Sequence, residues 1–112
     1  MGTMRALEKL IWMPSENSSK ICYELFEDKK VIKFMDKHLD DEELINRIYD
    51  KYYRLAFNPY KEAESSFKSR KCPKCMKTRV GSYRIIYFVN ELTKEVEIID
   101  IGPRRSIYRK WD

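Results

Sequence analysis

Glycine is scarce in this 112-residue chain, with three residues in all. A phosphate-cradling loop needs several glycines close together, so nucleotide chemistry of the P-loop or dinucleotide kind is excluded. Histidine is scarcer still. His38 is the only one. It lies far in sequence from the rest of the reactive side chains, and no Ser–His–Asp or Cys–His arrangement can be built around it. Three cysteines, an odd number, argue against a secreted disulfide framework. No apolar run approaches the roughly 20 residues of a membrane span. Met4–Met13 is short and interrupted by Arg5, Glu8 and Lys9, which makes it no secretory core. The expected address is the cytoplasm, with no membrane partner. There is no internal repeat and no low-complexity tract.

What is present is charge on a globular background. The chain is 43% apolar and 37% charged, the balance of one folded domain with a single modest core. Its net charge of +5 is unevenly placed. Residues 1–57 carry 10 Lys/Arg against 11 Asp/Glu, whereas residues 58–112 carry 13 against 7. The densest stretch runs from Lys68 to Arg84. It holds seven basic residues (Lys68, Arg70, Lys71, Lys74, Lys77, Arg79 and Arg84) and no acidic one. Gly102 to Arg109 adds Arg104, Arg105 and Arg109. Such a footprint fits a nucleic-acid binder or the partner of an acidic chain. Lys68, Arg70, Lys71, Lys74 and Arg105 are its candidate nucleic-acid-contacting residues.

The pattern along the chain is α+β. Residues 1–19 look like an extension, with Ala6, Leu7, Leu10, Ile11 and Met13 on one face of a short helix and the turn formers Pro14–Ser19 after it. The domain proper is expected over 20–112. Alternation of Ile21, Tyr23 and Leu25 predicts a first strand over Lys20–Glu27. Asp28 caps a helix over Lys29–His38. Asp40 opens a second helix, with Glu43 placed as in a capping box and apolar residues recurring from Leu44 to Leu55. Asn58-Pro59 ends it. Strands are expected at about Lys74–Val80, Tyr83–Asn90 and Val96–Ile101, the first two joined by the tight Gly81-Ser82 connection. Gly102-Pro103 closes the last strand, and Arg104–Asp112 reads as a basic tail. The order β-α-α-β-β-β implies a helical hairpin on one face of a twisted four-stranded antiparallel sheet, the other face partly open.

Few residues carry chemistry. The pairs Asp40-Asp41 and Glu42-Glu43 open a helix, where they favour its dipole. Cys72-Pro73-Lys74-Cys75 supplies two thiolates. A structural zinc site needs about four ligands, so the pair reads as a small local disulfide or as half of a zinc site shared between two chains. No cofactor is called for. Lys77 and Arg79, two apart on one strand, point to the same face. Arg84 opens the next strand, and Arg104, Arg105 and Tyr108 follow the last one.

Arg79-Val80-Gly81-Ser82-Tyr83-Arg84-Ile85-Ile86-Tyr87, followed by Ile101-Gly102-Pro103-Arg104-Arg105-Ser106-Ile107-Tyr108, resembles the RelE/ParE superfamily of toxins. The family wording is R-V-G-D-Y-R-I-I-Y and then I-G-H-R-x-x-V-Y. The likeness covers roughly residues 20–110. Pro103 in place of the histidine, the CPKC loop and the segment before Lys20 are departures. The resemblance implies a toxin of a type II toxin–antitoxin system, held inactive by an acidic, RelB-like antitoxin. RelE-like members cut messenger RNA in the ribosomal A site without a metal; ParE-like members poison DNA gyrase. Matching residue by residue, the RelE-like set falls on Lys77, Arg79, Arg84, Arg104 and Tyr108, all present. That favours a metal-independent endoribonuclease with the ribosome and messenger RNA as partners. A gyrase inhibitor, or an inactive binding member, is the alternative. In the nuclease reading Arg84 and Arg104 hold the scissile phosphate. Lys77 and Arg79 position it and help protonate the leaving oxygen. Tyr108 stacks on a base or helps remove the 2′-OH proton.

Overall fold

The computed structural model describes residues 22–64 and 69–111, together with the backbone of Met4–Arg5. Its elements run β1 (Met4–Arg5), β2 (Glu24–Glu27), α1 (Lys29–Lys37), α2 (Glu42–Phe57), β3 (Met76–Val80), β4 (Tyr83–Asn90), β5 (Glu95–Pro103) and α3 (Arg104–Trp111). The helix expected around Ala6–Met13, the start of the expected first strand at Lys20-Ile21, and Lys68 lie outside the described residues.

The helices begin where carboxylates can satisfy free backbone donors. Asp28 accepts from the Lys30 amide at 3.0 Å. The cap of α2 is Asp41, which accepts from the Leu44 amide at 3.2 Å; the expected start at Asp40 is one residue early. Val31 and Met35 on α1, and Leu44, Ile48, Tyr52, Leu55 and Ala56 on α2, form the buried stripes.

The sheet order is β1-β2-β5-β4-β3. The meander β3-β4-β5 is antiparallel, as the sequence predicts. The first pairing is different. Strand β2 runs parallel to β5, with Leu25 opposite Val96 and Glu27 opposite Ile98, so the sheet is mixed rather than wholly antiparallel. The physical reason is the helical hairpin: two helices between β2 and β3 form a crossover, and a crossover can return the chain to either orientation. Strand β1 pairs antiparallel with β2 and adds a fifth strand.

Each face of the sheet carries its own apolar cluster. Beneath α1 and α2 lie Leu25, Ile85, Tyr87, Val96, Ile98 and Ile101. On the other face, Cys75, Ile86 and Ile107 are buried, with Cys72, Phe88, Ile99, Tyr108 and Trp111 packed around them. This second cluster exists because Arg104–Trp111 is a helix, α3, instead of the expected tail. Ile107, Tyr108 and Trp111 turn inward, while Arg104, Arg105, Arg109 and Lys110 are exposed. Among the described residues no helix is long and apolar enough to cross a membrane.

A bulge sets the phase of β5. Ile86 opposes Asp100 and Tyr87 opposes Ile98, leaving Ile99 without a cross-strand partner. One extra residue reverses the alternation beyond it. Ile101 therefore joins the core under the hairpin, while Asp100 and Gly102 face α3. A side chain at Gly102 would put its Cβ 3.2 Å from Ile107 Cγ1, so the bare backbone is what lets α3 lie close to the sheet.

Candidate active site on the α3 face of the sheet

Strand alternation places Lys77 and Arg79 on the α3 face, and the register sets Arg79 opposite Arg84 and Arg84 opposite Gly102. Gly102 is two residues before Arg104, the first residue of α3. Side chains from β3, β4 and α3 thus converge on one patch. The backbone ties it together: the Arg104 amide donates to the Ser82 carbonyl at 3.0 Å, joining the start of α3 to the β3–β4 turn. Gly81, in that turn, has φ +57, the left-handed region that glycine occupies without strain.

At the centre Lys77 Nζ donates to Tyr108 Oη at 2.8 Å. The same ammonium lies 4.3 Å from the centroid of the Tyr108 ring, and the Arg104 guanidinium carbon lies 5.7 Å from that centroid. This hydrogen bond, with lesser contributions from Arg84 and Arg104, holds the phenol below its ordinary value near 10, against the opposing pull of partial burial. Tyr108 is half-buried, and Arg79 and Arg104 are exposed. Neither arginine has an ion-pair partner among the described residues. Their charge is available to an anion arriving from solvent.

Arg84 is placed differently from its neighbours. It is only 5% exposed. Its Nη1 donates to the carbonyls of Tyr83 at 2.9 Å and Gly81 at 3.2 Å. Its Nε lies 2.8 Å from Glu64 Oε1. That contact is an ion pair by distance, but the N–H points off its line, so neither atom gains a hydrogen bond there. Arg84 is thus held beneath the patch rather than displayed on it.

Two further groups build the site, and the sequence reading missed both. Asp100, buried at 5% exposure, accepts from Trp111 Nε1 at 2.9 Å, pairs with Lys110 Nζ at 2.9 Å and accepts from the Ile101 amide. It anchors the far end of α3. Ser69 donates its hydroxyl to the Trp111 carbonyl and accepts from the amides of Lys71 and Cys72. Lys71 Nζ donates to the Lys110 carbonyl at 2.6 Å. Spacing alone held a hint of α3 but of neither group: Ile107 and Trp111 are four apart, the stride of a helix face.

The remaining candidates lie around this core. Arg70, Lys71 and Lys74 are exposed in the loop before β3, and Arg105 is exposed in the first turn of α3. Cys72 and Cys75 are joined by a disulfide with Cα atoms 5.4 Å apart. Among the described residues no group of His, Cys, Asp and Glu side chains could hold a metal ion. His38 stacks on Phe34 and bonds its carbonyl, in contact with Tyr83 and away from the Lys77–Tyr108 pair.

Residues 28–108 match the model of the family described as the ParE toxin of the type II toxin–antitoxin system parDE. No curated protein matches the chain. Among solved structures, the fold is similar to that of a chain in the toxin–antitoxin complex RelBE2 from Mycobacterium tuberculosis. The TM-score is 0.61 and the identity 18%, over 75% of this chain and 100% of that one.

Proposed function

From the premise that this chain belongs to the ParE toxin family, within the RelE/ParE superfamily of type II toxin–antitoxin systems, we propose that it acts as an endoribonuclease on ribosome-bound messenger RNA. The observation that carries this reading is the Lys77–Tyr108 pair at 2.8 Å, set between exposed guanidiniums on one face of the sheet. A phenol with a depressed pKa beside fixed cations is suited to phosphoryl transfer in RNA.

The chemistry follows from the placement. Tyr108, as phenolate, takes the proton of a ribose 2′-OH. The 2′-oxygen attacks the adjacent phosphorus and the bond to the 5′-oxygen breaks. One product ends in a 2′,3′-cyclic phosphate and the other in a 5′-hydroxyl. Arg104 and Arg79 meet the negative charge on the phosphoryl oxygens. Lys77 lowers the phenol's pKa and can supply a proton to the leaving oxygen. Arg84, buried beneath them, positions Tyr108 rather than gripping the phosphate from solvent. Arg70, Lys74 and Arg105 extend the cationic surface along the strand of RNA. An acidic antitoxin covering this face would neutralise it, and the RelBE2 likeness is with a chain of a toxin–antitoxin complex.

A second reading, inhibition of DNA gyrase without cleavage, is favoured by the family whose model matches. Adding the protein to a translating extract separates the two. Message cut within codons supports the nuclease. Intact message together with gyrase-dependent DNA breaks in cells would replace it with the gyrase reading.

A further inference from the structure

The proposed chemistry uses neither cysteine of the CPKC loop, yet both stand between the two elements that carry the Lys77–Tyr108 pair. Cys75 immediately precedes β3, and Lys77 is two residues further on. Cys75 is buried with Ile86 and Ile107, and Cys72 packs against the same cluster as Tyr108 and Trp111. The segment that leads into the disulfide is the clamp on α3. Ser69 donates to the Trp111 carbonyl, and Lys71 Nζ donates to the Lys110 carbonyl. The Lys71 and Cys72 amides both donate to the Ser69 hydroxyl, which orients it. The bridge therefore holds Ser69, Lys71 and the start of β3 in a fixed relation to the last turn of α3.

We propose that Cys72–Cys75 is a reversible thiol–disulfide site whose oxidation keeps α3, and Tyr108 with it, seated on the sheet. The co-reactant is a dithiol. Its thiolate attacks the sulfur of Cys72, the more exposed of the two half-cystines. The Cys72–Cys75 bond breaks, and Cys75 leaves as a thiolate that takes up a proton. The second thiol of the reductant then displaces Cys72 and becomes oxidised to a disulfide, so two electrons pass to the protein. Lys71 just before the pair and Lys74 within it, both exposed, favour an incoming thiolate. After reduction the loop regains backbone freedom and the clamp on Lys110 and Trp111 weakens. Asp100 still holds the Trp111 indole, so α3 loosens without departing. The Lys77–Tyr108 contact then becomes one of several arrangements.

The test uses the full chain in a Cys22→Ser background, which removes the exposed third thiol. Hydrogen–deuterium exchange is followed in the oxidised form and after dithiothreitol reduction and alkylation. Exchange of the 104–111 amides is expected to speed up tenfold or more on reduction, with α1 and α2 unchanged. A Cys72→Ser/Cys75→Ser variant should behave as the reduced form. Equal exchange over 104–111 in both forms would overturn the proposal. The effect on activity rests on the nuclease reading: message cleavage should fall by a similar factor and return on reoxidation with diamide. If exchange responds to redox state but neither form cleaves RNA, the thiol–disulfide site stands and the nuclease reading fails.

Discussion

Tyr108 and Lys77 are separated by 31 residues and meet at 2.8 Å, and the properties of each depend on the other. The ammonium favours the phenolate, so removing it returns the phenol toward its ordinary range. Lys77→Met should therefore move the rising limb of the pH–rate profile to higher pH, read from cleavage of a defined message across pH 6–10. An unmoved limb would mean that Tyr108 is not the base. Tyr108→Phe should lower the rate by about 10² to 10⁴, the usual worth of a general base. Its linkage effect on stability has the opposite pH range to that of a histidine. A phenol with a lowered folded pKa adds stability only as pH rises through that pKa, in full above the unfolded value of about 10. Below the folded pKa that contribution is absent, so loss of activity without a shift in melting there identifies a chemical role. Arg79→Ala and Arg104→Ala, both at exposed positions, should likewise stay within about 0.5 kcal/mol of wild type in urea titrations. Arg84→Ala should not, because it leaves Glu64 beside a buried gap. Lys77, Arg79, Arg84, Arg104 and Tyr108 could all be named from the motif. That Arg84 is buried could not, since it depends on Glu64 reaching it from another segment and on how the β3–β4 turn presents the Gly81 and Tyr83 carbonyls.

The device at the scale of elements is the β5 bulge. It puts Asp100 and Gly102 on the side of α3 and Ile101 on the side of α1 and α2. Gly102→Val would drive a side chain into Ile107, which the absent Cβ would already approach to 3.2 Å. Overpacking of this kind costs about 1–3 kcal/mol, and the displaced helix would carry Tyr108 away from Lys77. Both losses should appear together, in a urea melt and in the cleavage assay. Wild-type stability in Gly102→Val would show that α3 does not depend on this close approach. A second element-level tie lies at the β4–β5 turn. Glu91 accepts from Lys94 at 2.5 Å and from the hydroxyls of Tyr23 and Tyr60. Those donors hold its carboxyl down at about 2, and its hydrogen bond in turn pushes the Tyr60 phenol up to about 12. A lowered carboxylate pKa contributes stability above the ordinary range near 4.5 and loses it as pH falls toward 2. Acid unfolding between pH 5 and 2 should accordingly be less steep in Glu91→Gln. The helices and meander strands were legible from periodicity and caps. The bulge and α3 were not, because a single inserted residue and an eight-residue helix are stabilised by contacts across the sheet rather than by local pattern.

For the molecule as a whole, the described basic residues Arg70, Lys71, Lys74, Lys77, Arg79, Arg104 and Arg105 collect on the α3 side of the sheet and in the loop beside it. Binding to single-stranded RNA should weaken with salt, with a log–log slope of about −0.7 for each phosphate neutralised. Arg79→Ala/Arg104→Ala/Arg105→Ala should flatten that slope by about two. An unchanged slope, measured by fluorescence anisotropy from 50 to 300 mM salt, would put the RNA elsewhere. Burial is concentrated on the opposite face. Ile48, fully buried on the sheet-facing side of α2, should cost about 2–5 kcal/mol as Ile48→Ala without changing the salt slope. The two faces thus separate stability from binding, which makes the two measurements independent checks.

By itself the amino-acid order determined the hairpin, the antiparallel meander, the position of the cationic stretch and its likeness to a toxin family. All of these rest on interactions within a few residues or on motifs read in line: caps, turn formers, apolar periodicity and charge density. Tertiary structure alone decided the parallel β2–β5 pairing, the reversed phase of β5 past Ile99, and the burial of Arg84. It also seated α3 between Asp100, Ser69 and the disulfide loop. Each is a contact between distant segments, and its free energy depends on how both sides are already placed, which no local window of sequence contains.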